Sequence, residues 1–168
     1  MLGAMKTLLV LRHAKASQDA TIASDHTRPL TKKGRKAARR IGELLVAEQL
    51  VPDLVLSSTA ARARETTEVV VESSGHSGPI TFLDELYLAE PAAYFEALQR
   101  LGGQAERVLV VGHNPGLEAL VQRLTGAAEH MPTAALAECA LSLQTWSELR
   151  ADSKGNLTRL FRPKDLDA

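Results

Sequence analysis

The sequence predicts a three-layer α/β/α domain whose central sheet is mainly parallel and contains an antiparallel strand. Two observations carry this expectation. Apolar runs of strand length, Thr7 to Leu11, Leu54 to Leu56 and Val108 to Val111, hold no charged residue, as suits strands buried on both faces of a parallel sheet. Between them lie segments whose apolar residues recur at helical spacing, and such β/α alternation marks a layered domain. With 168 residues there is length for one sizeable core, so a single domain is expected over residues 1–168.

The first strand, Thr7 to Leu11, stops abruptly at Arg12, His13 and Lys15. Met1 to Ala4 precede it and read either as an alternative start or as an added remnant. Ala16 to Arg28 is polar and aperiodic, a loop expected to pass over the carboxyl end of the sheet and face a ligand. Pro29-Leu30-Thr31 starts a helix with Thr31 as N-cap, and Ala38, Ile41, Leu44 and Leu45 form its apolar stripe. Its first half is crowded with Lys32, Lys33, Arg35, Lys36, Arg39 and Arg40. That run reads as a solvated face or, since cations at a helix start oppose the dipole, as a docking surface for an acidic protein.

Val51-Pro52-Asp53 breaks this helix ahead of the short strand Leu54 to Leu56. Ser57 or Ser58 then caps a second helix over Ala60 to Glu72, closed by Ser73-Ser74-Gly75. Ile80 to Leu83 is a weak, edge-like strand before the acidic turn Asp84-Glu85, and Pro91 to Leu101 is an amphipathic helix ended by Gly102-Gly103. Val108 to Val111 is the most β-like run and ends beside His113. Asn114 and Pro115 suit the cap and first turn of a helix whose stripe is Leu117, Leu120, Val121 and Leu124. Candidate strands around Ala140 to Thr145 and Leu157 to Phe161 complete the sheet with one antiparallel pair.

Composition narrows the function classes. Twenty basic and twenty acidic residues cancel, which argues against a general electrostatic footprint for nucleic acid or an anionic membrane, so any phosphate recognition is local. The single cysteine, Cys139, has no disulfide partner in the chain and reads as a small core residue in a reducing compartment. No apolar stretch reaches the length of a signal h-region or a membrane span, and a cytoplasmic protein is expected. His26, His76 and His130 stand without ligand spacing, so no metal is assigned.

If the sheet is parallel, three strands exit on one edge, into Arg12-His13, into Ser57-Ser58 with Arg62 a turn further on, and into Gly112-His113-Asn114. Two arginines and two histidines gathered there suit a phosphoryl group: guanidinium forks match its oxygens, and an imidazole can attack phosphorus or donate a hydrogen bond. A histidine at a strand end is also commonly a structural residue. Two of them, one directly after an arginine, shift the balance toward chemistry. Arg62 strengthens the case, because a cation in the first turn of a helix opposes the macrodipole by about 0.3–1 kcal/mol and locally unfavourable choices mark function. Lys15 and Arg28 are further candidates for steering an anion into the cleft.

Leu11-Arg12-His13-Ala14 resembles the Arg-His-Gly signature of the histidine phosphatase superfamily, with Ala14 where glycine is usual. Ser57-Ser58-Thr59-Ala60-Ala61-Arg62-Ala63-Arg64-Glu65-Thr66 is similar to that family's second block, and Val111-Gly112-His113-Asn114 resembles the block around its second histidine. The segment Ser24 to Thr31 is most like that of SixA-type phosphohistidine phosphatases, and the likeness runs from residue 6 to about 126. The resemblance implies a phosphoglycerate mutase-like fold and a nucleophilic His13 that becomes a transient phosphohistidine. It further implies that Arg12, Arg62 and His113 hold the phosphoryl oxygens, with Asn114 among the substrate contacts, and that no cofactor is needed. Neighbouring arginines are expected to disfavour protonated His13. The methyl of Ala14 is expected near the pocket, narrowing it.

A proton donor is implied after the second helix, with Glu85 the nearest match and Asp84 the fallback; either carboxylate could instead cap a turn. The partner implied is a histidine-phosphorylated domain or a small phosphorylated substrate, with no nucleic acid and no membrane. Three functions follow in order of preference. They are a phosphohistidine phosphatase, a small-molecule phosphomonoesterase or phosphoglycerate mutase-like enzyme, and a non-catalytic phosphate-binding regulatory module.

Overall fold

The computed structural model describes residues 4–166; Met1 to Gly3, part of the stretch read as a start or remnant, lie outside them. The described elements are β1 (Lys6–Arg12), α1 (Lys32–Ala47), β2 (Leu54–Ser58), α2 (Ala61–Ser74), β3 (Ile80–Leu83), α3 (Pro91–Leu101), β4 (Arg107–Gly112), α4 (Gly116–Thr125), β5 (Leu136–Leu141), β6 (Gly155–Phe161) and α5 (Pro163–Leu166). They form a six-stranded sheet in the order β3-β2-β4-β1-β5-β6. β1 to β4 run parallel, and β3 is the edge strand expected. The sheet has two antiparallel pairs, β1 with β5 and β5 with β6, where the sequence reading expects one.

Strand periodicity distributes the apolar side chains between two layers. Leu8, Val10, Leu56, Val108 and Val110 pack with Leu98 of α3 and with Leu117, Leu120, Val121 and Leu124 of α4. Leu9, Leu11, Val55, Leu109 and Val111 pack on the other face with Ala38, Ile41 and Leu45 of α1 and with Ala63 and Val70 of α2. Each buried leucine or valine contributes roughly 1.5–3 kcal/mol relative to exposure. Continuous apolar runs are therefore required in β1, β2 and β4, which lie between helices on both faces. Cys139 is buried in the first of these clusters, as expected of a small core residue.

Several local readings shift. The expected strand over Ala140 to Thr145 lies earlier, at Leu136–Leu141, where Leu136, Ala137, Cys139 and Leu141 are buried. Ser142 onward leaves the sheet so that Trp146 can bury its ring, its indole N–H donating to the Ala105 carbonyl at 2.7 Å. The cap of α2 is Ala60, with neither serine in that place; Ser58 Oγ accepts the Ala60 N–H at 3.2 Å from just outside the helix. Pro115 occupies the cap position of α4, while Asn114 Oδ1 accepts from Glu118 N at 3.3 Å. Thr31 caps α1 as read, accepting from Gly34 N at 2.9 Å.

Gly34 is required by a close approach: a Cβ there would stand 2.2 Å from the Lys15 carbonyl oxygen, so the first turn of α1 rests against the main chain leaving His13. No helix among the described residues is long and apolar enough to cross a membrane.

Candidate active site

β2, β4 and β1 are adjacent and parallel, so the three exits converge as expected. Their residues line a cleft of about 840 Å³ that includes Arg12, His13, Arg62 and His113.

His13 follows β1 and extends its ladder, donating its main-chain N–H to Gly112 O at 3.1 Å. Its ring is buried, and Nδ1 lies 2.8 Å from the Ala14 carbonyl. A carbonyl only accepts, so Nδ1 carries the proton and Nε2 keeps its lone pair. Arg62 Nε donates to that Nε2 at 3.3 Å. Burial chiefly, then the charges of Arg62, Arg12 and Arg28, lowers the His13 pKa to about 4, against a raising contribution from the Ala14 carbonyl. The arginines thus disfavour the protonated ring as expected, and desolvation adds the larger share.

Arg62 is 2% exposed in the first turn of α2. While Nε faces His13, its outer edge is clamped by Asp25: Nη1 donates to the Asp25 carbonyl at 2.8 Å and Nη2 to its carboxylate at 3.0 Å. The same carboxylate accepts from the Tyr87 hydroxyl and from Arg28 Nε at 3.0 Å. These partners, the Tyr87 hydroxyl foremost, hold Asp25 well below the usual carboxylate range. Thr66 fastens the corner, accepting from Ala14 N at 3.0 Å and donating to the Arg62 carbonyl at 2.6 Å.

His113 is 1% exposed, with its ring centroid 5.2 Å from that of His13. Its Nε2 lies 2.8 Å from Ser58 Oγ. Ser58 Oγ accepts from Ala60 N and keeps a hydrogen and a second lone pair, so it can partner His113 Nε2 in either tautomer. Burial first, then the proximity of His13 and Arg62, lowers the His113 pKa to about 3. His113 Nδ1 and Arg12 Nε are buried without partners among the described residues. Buried polar atoms left unpaired cost free energy, and two beside one cleft fit groups whose partners are supplied by a ligand.

The remaining expected residues divide. Lys15 and Arg28 line the cleft; Lys15 is exposed, while Arg28 is tied to Asp25 and, through Nη1, to Ser17 O at 3.0 Å. Asn114 also lines it, but Nδ2 donates to Met131 O at 2.8 Å, the oxygen that accepts from Arg12 Nη1 at 3.2 Å, so Asn114 braces the loop behind Arg12. Glu85 is not brought to the cleft. It accepts from Arg100 Nη2 at 2.7 Å and lines a separate groove beside α3; the Arg100 hydrogen bond leads in lowering its pKa. The 3₁₀ turn Asp84–Leu86 sends it outward, toward the last turn of α3. The fallback, Asp84, accepts from Thr59 Oγ1 at 2.6 Å, and Thr59 in turn meets His26 Nε2 at 3.1 Å. Ala14 is a further correction: its methyl is packed with Leu9, Leu11 and Ala63 in the core beneath α1 and α2, and does not line the cleft.

Sequence reading quoted Asp25 and Thr66 within its motifs without giving either a role, and missed Tyr87 and the pairing of Ser58 with His113. The Asp25–Arg28 spacing was a usable signal, since an i,i+3 acid–base pair in an aperiodic loop invites a local ion pair. Nothing local points to Tyr87, which meets Asp25 across 62 residues.

The arrangement defines a phosphoryl-binding α/β domain in which one neutral imidazole presents a lone pair beside arginine and histidine donors. Comparison with known proteins agrees. Residues 8–87 match the family described as histidine phosphatase superfamily (branch 1). Phosphohistidine phosphatase SixA of Escherichia coli is 32% identical over 121 residues, covering 70% of this chain and 73% of SixA. The uncharacterized protein Rv1276c of Mycobacterium tuberculosis is 39% identical over 110 residues; the match spans 66% of this chain and 66% of that relative. Among solved structures, a candidate SixA from Nakamurella multipartitia superposes with a TM-score of 0.84 at 29% identity, covering 95% of this chain and 96% of the other. The protein histidine phosphatase SixA in complex with tungstate gives 0.81 at 27%, covering 95% and 99%. The chain belongs to the histidine phosphatase superfamily and is of the SixA type, with the phosphoglycerate mutase-like fold.

Proposed function

We propose that this protein removes phosphate from phosphohistidine in a phosphotransfer protein, by way of a phosphohistidine formed on its own His13. The fate of the carboxylates carries this reading. Among the described residues Asp25 is the only carboxylate lining the cleft, and Tyr87, Arg62 and Arg28 keep it ionised. Glu85 faces another groove. An alkoxide leaving from an ester needs a positioned acid, whereas an imidazole leaving from phosphorus takes its proton readily from water. The likeness to SixA of Escherichia coli supports the same substrate class.

In the first step His13 Nε2 gives its lone pair to phosphorus as the substrate P–N bond breaks. That bond's electron pair returns to the substrate imidazole, which takes a proton from solvent. As His13 attacks, Arg62 Nε turns its N–H from His13 Nε2 to a phosphoryl oxygen. Arg62, Arg12 and His113, its proton carried on Nδ1 in this step, hold the equatorial oxygens, in a site where preorganised donors are worth more than in water. Water then attacks the phosphoenzyme, the P–Nε2 bond breaks with its pair returning to His13, and the water's proton passes to solvent as inorganic phosphate leaves.

The test is mass spectrometry after brief incubation with a histidine-phosphorylated phosphotransfer domain and an acid-sparing quench. Phosphate on His13, absent in His13→Ala, with loss from the donor, is the expected result. Release of phosphate from p-nitrophenyl phosphate with none lost from the domain would overturn the reading in favour of small esters.

A further inference from the structure

Away from the Asp25 loop the cleft runs on between α1 and α5, where Lys33 and Ala37 face Pro163 and Lys164. A second groove shares Lys33, Ala37 and Pro163 with it and continues past Lys36, Arg40 and Leu166. The two are one channel, leading from the reacting ring along a single stripe of α1, since residues 33, 36, 37 and 40 lie at helical i, i+3, i+4 and i+7 positions. No lining residue of the second groove, among those described, is acidic. Lys33 and Lys36 are exposed and have no ion pair among the described residues. Cations in the first turns of a helix oppose its dipole, so this arrangement is held at a cost to α1 itself.

We propose that this basic arm docks an acidic segment flanking the phosphorylated residue of the substrate protein; the inference rests on the phosphohistidine reading above and extends it. Charge complementarity selects the sign of the partner. The apolar floor of Ala37, Pro163 and Leu166 selects a peptide over a free anion, since a small hydrated anion gains nothing from such contacts. The chain as a whole carries no net charge, so the attraction is local to the cleft and the arm that continues it. Docking beside the reacting centre raises the residence of the correct protein while leaving the chemistry at His13 unchanged.

The experiment uses three phosphohistidine peptides of one core sequence, flanked by glutamate, alanine or lysine, with the wild-type protein and Lys36→Glu. At about 50 mM salt the glutamate-flanked peptide is expected to exceed the alanine-flanked one by about tenfold in kcat/KM, and at about 0.5 M the advantage collapses because screening is then nearly complete within a few Å. Lys36→Glu abolishes the advantage, improves the lysine-flanked peptide and leaves the alanine-flanked peptide within about twofold. Equal turnover of all three by the wild type overturns the arm while leaving the phosphohistidine reading intact. A loss in Lys36→Glu equal for all three overturns it also, by making Lys36 a general anion contact. No turnover of any peptide removes the reading on which the arm depends.

Discussion

Lowering the pH tests whether His13 is held neutral by its surroundings. Its pKa lies at about 4, against 6.5 for a solvated imidazole. At pH 5.5 a ring of pKa 4 is about 97% neutral and one of pKa 6.5 about 9%, so the nucleophilic fraction differs roughly tenfold. The expected outcome is an NMR titration of the His13 ring carbons, assigned with His13→Gln, whose midpoint falls near pH 4, with phosphoryl transfer to His13 still close to maximal at pH 5.5. The linkage to stability has a definite sign. Both His13 and His113, the latter at about 3, have folded-state values below the unfolded one, so the unfolded chain binds more protons. Their contribution is complete above about pH 6.5 and is lost as pH falls from there toward 4 and 3, His13 accounting for on the order of 3 kcal/mol. Urea unfolding at pH 6.5 and 4.5 measures it. A His13 midpoint near 6.5, or stability flat between these pH values, would refute the argument that burial and the arginines set the state of the ring.

Three further outcomes follow from the geometry. Glu85→Gln leaves kcat/KM within about twofold, because Glu85 is paired with Arg100 outside the cleft; a loss of tenfold or more would restore it as proton donor. Ser58→Ala removes the partner of His113 Nε2 and costs about 1–2 kcal/mol of transition-state stabilisation, seen as a fall in kcat/KM of roughly 5- to 30-fold, with unchanged kinetics contradicting the argument that Ser58 positions the ring. Gly34→Ala drives a methyl against the Lys15 carbonyl and lowers unfolding free energy by about 1–3 kcal/mol in chemical denaturation; an unaltered midpoint would mean that α1 shifts freely.

What could be read from sequence was decided by local chemistry. Apolar runs that end in arginine or histidine announced both the parallel strands and the corner they build, and Thr31 announced the start of α1 because its hydroxyl acts within one turn. Strand β5 was displaced in the reading because Glu138 interrupts it, and the ion pair that makes this carboxylate acceptable comes from Arg159 on β6. The clamp on Arg62 joins residues 37 positions apart, so no pattern within either segment could reveal it. Glu85 illustrates the reverse: its place after the second helix was legible, but the 3₁₀ turn that sends its side chain toward Arg100 was not.

Thr66, bridging the main chain of Ala14 and the carbonyl of Arg62, makes two segments from distant parts of the chain behave as a single rigid body. The loop from Ala16 to Pro29 reaches Arg62 through the carbonyl and carboxylate of Asp25, which Arg28 braces from within the loop. Recognition and reactivity are thereby separable in design: a foreign loop that keeps the Asp25 carboxylate in place can be grafted over the cleft to present a new rim to new partners, while the ring that reacts and the fork beside it keep their spacing.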